Sequence, residues 1–257
     1  MNRNQSARRY DSTRQAWETI WDSASVEAEL KAVRYPRSMQ TIRAYTSYLP
    51  TDQLILEAGS GLSAVVITLR EMGYHVAGLD YAVNALGTSR DYDPRLPLLA
   101  GDVHHLPCAD NSIGAYLSFG VLEHFEHGMG PALEEAYRVL QPGGILILTI
   151  PYPNLVQRLV AWRRQAQGET TLTDDNFYES TYTQKQLIEA VMDVGFRVCT
   201  VQPTSHAFTL WGLGGPFRGV GYYETSKFAE ALGSILSVTL PWAFNFMTLI
   251  VARKQGE

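Results

Sequence analysis

The stretch Leu54-Ile55-Leu56-Glu57-Ala58-Gly59-Ser60-Gly61 places two glycines directly after a short apolar run and ahead of a helical pattern. Glycine permits a tight turn and lets a ligand approach backbone amides where a Cβ would intrude. The next apolar run ends in Asp80, about twenty residues beyond the glycines, where a carboxylate can accept hydrogen bonds from both hydroxyls of a ribose. A further carboxylate, Asp102, follows the short run Leu98–Gly101; it suits acceptance of an adenine amino proton, and the adjacent Val103 amide is available to a ring nitrogen. Charge-assisted bonds of this kind contribute roughly 1.5 to 3 kcal/mol each, enough to matter for nucleoside affinity. With Ala64 the turn also fits the GxGxxA form of nicotinamide-binding loops, so the loop alone leaves the kind of adenosine-bearing cofactor open.

These residues need a framework of alternating strands and helices, the pattern of a parallel sheet covered by helices. Strands are expected at Gln53–Glu57, His75–Asp80, Leu98–Gly101, Ile113–Phe119 and Gly144–Ile150. Helices are expected at Leu62–Met72, Ala82–Ser89 and Pro131–Leu140, with proline in the first turn of the last. Pro142-Gly143-Gly144 stops that helix and turns the chain into the next strand. Ahead of this core, Ser12–Leu30 and Pro36–Leu49 read as two helices whose Trp17, Trp21, Tyr35, Tyr45 and Tyr48 supply aromatic surface to cover a cofactor. After it come a capped helix, Thr183–Val194, and two strands, Phe196–Val201 and Phe244–Arg253, forming an antiparallel addition to the sheet. Residues 203–241 are too long for a simple connection and read as a lid or substrate-shaping insertion. The division expected is an N-terminal helical cap, 1–50, and a nucleotide-binding domain, 51–257, carrying that insertion.

The ordered set LEAGSG, GLD ending at Asp80, AGDVHHLPCADNSIGAYLSFGVLEHF and YRVLQPGGILILTIP resembles the class I S-adenosylmethionine (SAM)-dependent methyltransferases of the small-molecule type that includes ubiquinone-pathway enzymes. The resemblance covers roughly Leu54–Pro151, with a weaker echo in YTQKQLIEAVMDVGFRV. It implies a Rossmann-like α/β fold, a mostly parallel seven-stranded sheet with its last strand antiparallel. It also implies that Glu57, Gly59 and Gly61 face the methionine end of SAM, Asp80 the ribose, and Asp102 with Val103 the adenine; Tyr81 and Phe119 join this cofactor-binding set. One departure is visible, since Ser63 stands where the family usually carries a third glycine.

Methyl transfer from a sulfonium is an in-line displacement in which proximity alone can supply roughly 7 to 11 kcal/mol. A hydroxyl acceptor would gain a further hundredfold to ten-thousandfold, in round terms, from a general base, commonly histidine. Ser118–Phe125 leaves the fourth strand beside the expected methyl position, so Glu123 and His124 are the catalytic candidates. In the ubiquinone-type O-methyltransferases that this segment resembles, an acidic residue three positions before the Glu-His pair completes a divalent-metal site. Gly120 occupies that position here, and no metal is expected. His104, His105, His127 and His206 show no ligand spacing, while Tyr152, Tyr182, Trp211, Tyr222 and Tyr223 are candidates to line an acceptor pocket.

Composition narrows the alternatives. A net charge of −5 argues against a nucleic-acid partner, and Cys108 and Cys199 form neither a CxxC pair nor a disulfide framework, consistent with a reducing cytoplasm. The N-terminal residues lack the apolar segment of a secretory signal. Ala231–Ala252 carries no charged residue and is about as long as a membrane-spanning helix. Pro241 and several polar residues interrupt it and Phe244–Val251 reads better as a buried strand, so no span is expected; the expected location is the cytoplasm, with peripheral membrane contact left open. The acceptor is expected to be a small molecule, a glycan precursor or a lipid-linked intermediate. The competing readings are a nicotinamide-dependent oxidoreductase and a SAM-binding protein without catalysis.

Overall fold

The computed structural model describes residues 15–166, 180–220 and 224–256. Seven strands form one sheet in the order β3-β2-β1-β4-β5-β7-β6. They are β1 (Ile55–Ala58), β2 (Val76–Asp80), β3 (Leu98–Ala100), β4 (Ile113–Phe119), β5 (Leu140–Pro151), β6 (Phe196–Thr204) and β7 (Met247–Lys254). The first five pair in parallel, and β7 runs antiparallel to both neighbours, β5 and β6. This is the expected mostly parallel sheet with an antiparallel last strand.

Alternation along the strands produces the layers. Ile55, Val76, Ala115, Leu117, Ile145 and Ile147 turn to one face and pack against Val26, Leu30, Ile42, Val66 and Leu69. Leu56, Ala77, Tyr116, Leu146 and Leu148 turn to the other, against Leu133, Ala136, Leu187 and Val191. Both faces are dry, so the strands read as near-continuous apolar runs. The helices on the first face are α1 (15–22), α2 (Val26–Val33), α3 (Pro36–Thr46), α4 (Ala64–Glu71) and α5 (Val83–Tyr92); α6 (Gly130–Val139) and α8 (Gln184–Asp193) cover the second. Between them, α7 (Leu155–Ala166) follows β5.

Three expectations change. The single helix read over Ser12–Leu30 breaks after residue 22, because Ser25 accepts the Ala28 amide and caps a new helix; residues 12–14 lie outside the described residues. Pro142-Gly143-Gly144 does not separate helix from strand, since β5 begins at Leu140 and carries these residues as a bulge opposite β4. The connection read over 203–241 begins inside β6 and then forms a helical hairpin, α9 (His206–Trp211) and α10 (Lys227–Thr239). A Cβ on Gly233 would lie 2.6 Å from the Ala207 nitrogen, so these helices touch backbone to backbone, and His206 Nε2 meets the Pro241 carbonyl at 2.8 Å. The uncharged stretch 231–252 is thus divided between α10 and a buried strand. Among the described residues no helix is long and apolar enough to cross a membrane.

Candidate functional site

Parallel register brings the site together. Ala58 pairs with Leu79 and Asp80 with Ala100, so Glu57, Asp80 and Asp102 stand at the carboxyl ends of three adjacent strands. The sheet reverses its winding between β1 and β4, and in such sheets ligands bind in the crevice at that reversal. The chain after β1 is pinned there by the Gly59 and Ser60 amides, which donate to the Leu79 carbonyl at 2.7 and 3.0 Å. Gly59 and Gly61 both have left-handed backbones.

A cavity of about 570 Å³ opens at this edge, within the range of small-molecule and cofactor sites. Its walls include Glu57, Gly59, Gly61, Asp80, Tyr81, Asp102, Val103, Phe119 and His124, which are all but one of the cofactor-binding and catalytic candidates read from sequence. A further part of the wall comes from α1. Trp17 and Trp21 stack on each other with ring centres 5.7 Å apart, and the Trp17 ring meets the His124 ring edge-on at 5.0 Å. Asn84 on α5 holds α1 in place, donating from Nδ2 to the Glu18 carbonyl and to Asp22 Oδ1, each at 2.8 Å.

The carboxylates differ in state. Glu57 is buried and accepts the Val66 amide at 3.1 Å. Burial, reinforced by the nearby Asp80 charge, pushes its pKa up to about 8 despite that bond, so it carries a proton at neutral pH. Asp80 accepts the Gly61 amide on Oδ2 at 2.7 Å and the Ala82 amide on Oδ1 at 2.8 Å. Burial raises its pKa and these amides oppose the rise. Asp102 Oδ1 lies 2.9 Å from both the amide and the Nδ1 of His104. His104 was no candidate from sequence, although its spacing of two from Asp102 was the signal.

Residues 56–148 match the family described as a methyltransferase domain. This stretch is a class I methyltransferase domain. The malonyl-[acyl-carrier protein] O-methyltransferase of Yersinia pestis is 31% identical over 125 residues, 48% of this chain and 46% of that protein. The demethylmenaquinone methyltransferase of Paenarthrobacter aurescens is 27% identical over 149 residues, 58% of each. The chain thus spans about half the length of the curated relatives it matches. Among solved structures, a SAM-dependent methyltransferase from Methanosarcina mazei superposes with a TM-score of 0.59 at 17% identity, over 87% of this chain and 99% of that one. The [4+2]-cyclase SpnF superposes at 0.57 with 16% identity, over 86% and 82%. Such identities establish the shared fold.

The cofactor of the class is SAM, and the cavity of the methyltransferase domain has the chemistry for it. Three carboxyl groups line it, a chemistry suited to a ligand with a cationic end, a ribose diol and an adenine amine, and Tyr81, Val103 and Phe119 add apolar surface to the wall. Ser63 adopts φ +59°, the left-handed region in which glycine is favoured. The backbone geometry therefore survives the serine.

Glu123 is the exception among the predicted residues. It sits in a 3-10 turn, is buried, and does not line the cavity; its carbonyl accepts the Ser180 amide at 2.8 Å. Gly120, at the position where the resembled enzymes carry the acidic metal ligand, has φ +69°, the left-handed region that favours glycine. Tyr152, Tyr182 and Trp211 are not in the cavity wall, and Tyr222 and Tyr223 lie outside the described residues. No described residue of the α9–α10 hairpin lines the cavity. Instead the hairpin is tied to α3, where Arg37 Nη1 donates to Glu230 at 2.7 Å and to Thr225 at 2.6 Å. Tyr45, read as surface, is buried against Phe119 with ring centres 5.4 Å apart.

Proposed function

We propose that this chain transfers the methyl group of SAM to a small-molecule or lipid-linked acceptor, with His124 as the general base. The observation that carries the reading is the gathering of Glu57, Asp80, Asp102 and His124 around one cavity at the winding reversal of the sheet. Bound SAM supplies an electrophilic methyl on a sulfonium. Asp80 would accept the ribose hydroxyls, the Gly61 and Gly59 turn would leave room for the methionine portion, and the Asp102–Val103 segment would meet the adenine. His124, held edge-on by Trp17, takes the proton from an acceptor hydroxyl as its oxygen attacks. Trp17 and Trp21 exclude water from that side.

The acceptor class is supported by two kinds of observation. The named relatives act on carrier-bound malonate and on demethylmenaquinone. The far wall beside His124 also includes Val121, Phe125 and Pro131, which favours an acceptor with apolar bulk. The decisive experiment incubates the protein with methyl-labelled SAM and pools of hydroxylated small molecules and lipid-linked acceptors, reading label transfer and S-adenosylhomocysteine release. His124→Gln should then lower the single-turnover rate by about a hundredfold or more and abolish its pH dependence. An unchanged rate would remove the histidine from the chemistry. SAM binding without transfer to any pool would leave a SAM-binding protein.

A further inference from the structure

Helix α7 carries a stripe of large apolar side chains that stands exposed among the described residues. Leu155, Leu159 and Trp162 are 53%, 60% and 65% exposed. At about 100° per residue they fall within about 60° of one another on the helix surface. Arg158 and Arg163, both exposed, flank the stripe on its two sides, and no acidic residue occurs between Leu155 and Ala166. This local basicity opposes the charge of the whole chain, which is −5.

Helix α10 carries exposed apolar side chains of its own. Its Ile235 and Val238 are also exposed, and no charged residue follows Glu230 until Arg253. The Leu155 amide donates to the Ala243 carbonyl at 2.8 Å and the Tyr152 and Trp242 rings lie 5.6 Å apart, so the start of α7 abuts the segment that leaves α10.

We propose that the outer face of α7, with the exposed apolar residues of α10, docks on an anionic phospholipid bilayer. An apolar stripe with a tryptophan, bordered on both sides by arginines, matches a helix lying in a membrane interface. The leucines and indole enter the acyl boundary, and the arginine stems run along them while their guanidinium groups reach the phosphates. Charge complementarity selects this occupant over an uncharged surface, because each basic residue near an anionic leaflet strengthens the attraction to it. β5 ends at Pro151, at the same carboxyl edge as the cavity, and α7 starts four residues on. Docking would therefore hold the cavity side of the sheet near the lipid. The docking itself does not depend on the methyl-transfer reading.

The test is co-sedimentation of the full chain with vesicles of phosphatidylcholine alone and of phosphatidylcholine mixed with phosphatidylglycerol, at low and high salt. The protein should partition onto the mixed vesicles at least about tenfold more strongly than onto phosphatidylcholine, and salt should weaken it. Arg158→Gln with Arg163→Gln, and separately Leu159→Gln with Trp162→Gln, should each reduce that partition by about tenfold or more. Circular dichroism and melting, unchanged in both variants because the four side chains are exposed, separate loss of docking from loss of fold. Absence of binding to either vesicle, equal binding to both, or binding indifferent to the variants would overturn the proposal. So would a dimer of the free protein that Leu159→Gln with Trp162→Gln makes monomeric, since a second copy would then cover the face.

Discussion

A Cβ placed on Gly61 would lie 2.6 Å from Cζ2 of Trp21, so the indole of α1 rests directly on the glycine turn that follows β1. The glycine turn and the helix that walls the cavity beside it are therefore in contact. Movement of α1 must alter access to the cavity.

Asn84 is the tie that restrains this movement. Asn84→Ala removes both bonds to α1, each worth roughly 0.5 to 1.5 kcal/mol. Hydrogen exchange of residues 15–22 should accelerate, and SAM should dissociate about tenfold faster in stopped-flow measurements. Unchanged exchange in α1 would show that the clasp does not hold the helix.

Glu57 makes the empty protein sensitive to alkali. Its pKa rises from 4.5 to about 8 through burial, so the folded state keeps a proton that the unfolded chain releases. The stabilisation is complete below 4.5 and is lost as pH rises through 8, with a slope of up to about 1.4 kcal/mol per unit in between. Glu57→Gln cannot titrate, and its melting temperature should exceed that of the parent at pH 8.5 while approaching it at pH 5. Because the cationic end of SAM favours the ionised carboxylate, binding near pH 7 should also release a proton. Titration calorimetry in buffers of different ionisation enthalpy detects this directly.

Ser63 holds a left-handed backbone with its hydroxyl buried and without a hydrogen-bond partner. A left-handed non-glycine residue costs about 1 to 2 kcal/mol. Ser63→Gly should raise the melting temperature by a few degrees, and SAM affinity should stay constant because Ser63 is outside the cavity wall. A lower melting temperature would mean that the hydroxyl contributes to the turn.

The strands, the glycine turn and the two aspartates at the carboxyl ends of β2 and β3 were legible because each rests on local signals: apolar runs, turn residues and short spacing. The clasp between Asn84 and Asp22 was not, since it joins residues far apart in sequence. The protonation of Glu57 depends on burial from every side, which no local pattern records. Glu123 and His124 are adjacent, yet a single 3-10 turn sends only His124 to the cavity; a sequence pair does not disclose which way such a turn faces. The hairpin at 203–241 looked like a lid because of its length, whereas its contacts through Arg37 lead to α3.

The most direct measurement is calorimetric titration of the protein with SAM, S-adenosylhomocysteine and NAD, repeated on Asp80→Ala. The account predicts micromolar-range binding of SAM and S-adenosylhomocysteine, no binding of NAD, and at least about tenfold weaker SAM binding once the ribose-facing carboxylate is gone. Binding of NAD alone, or SAM affinity unchanged in Asp80→Ala, would contradict it.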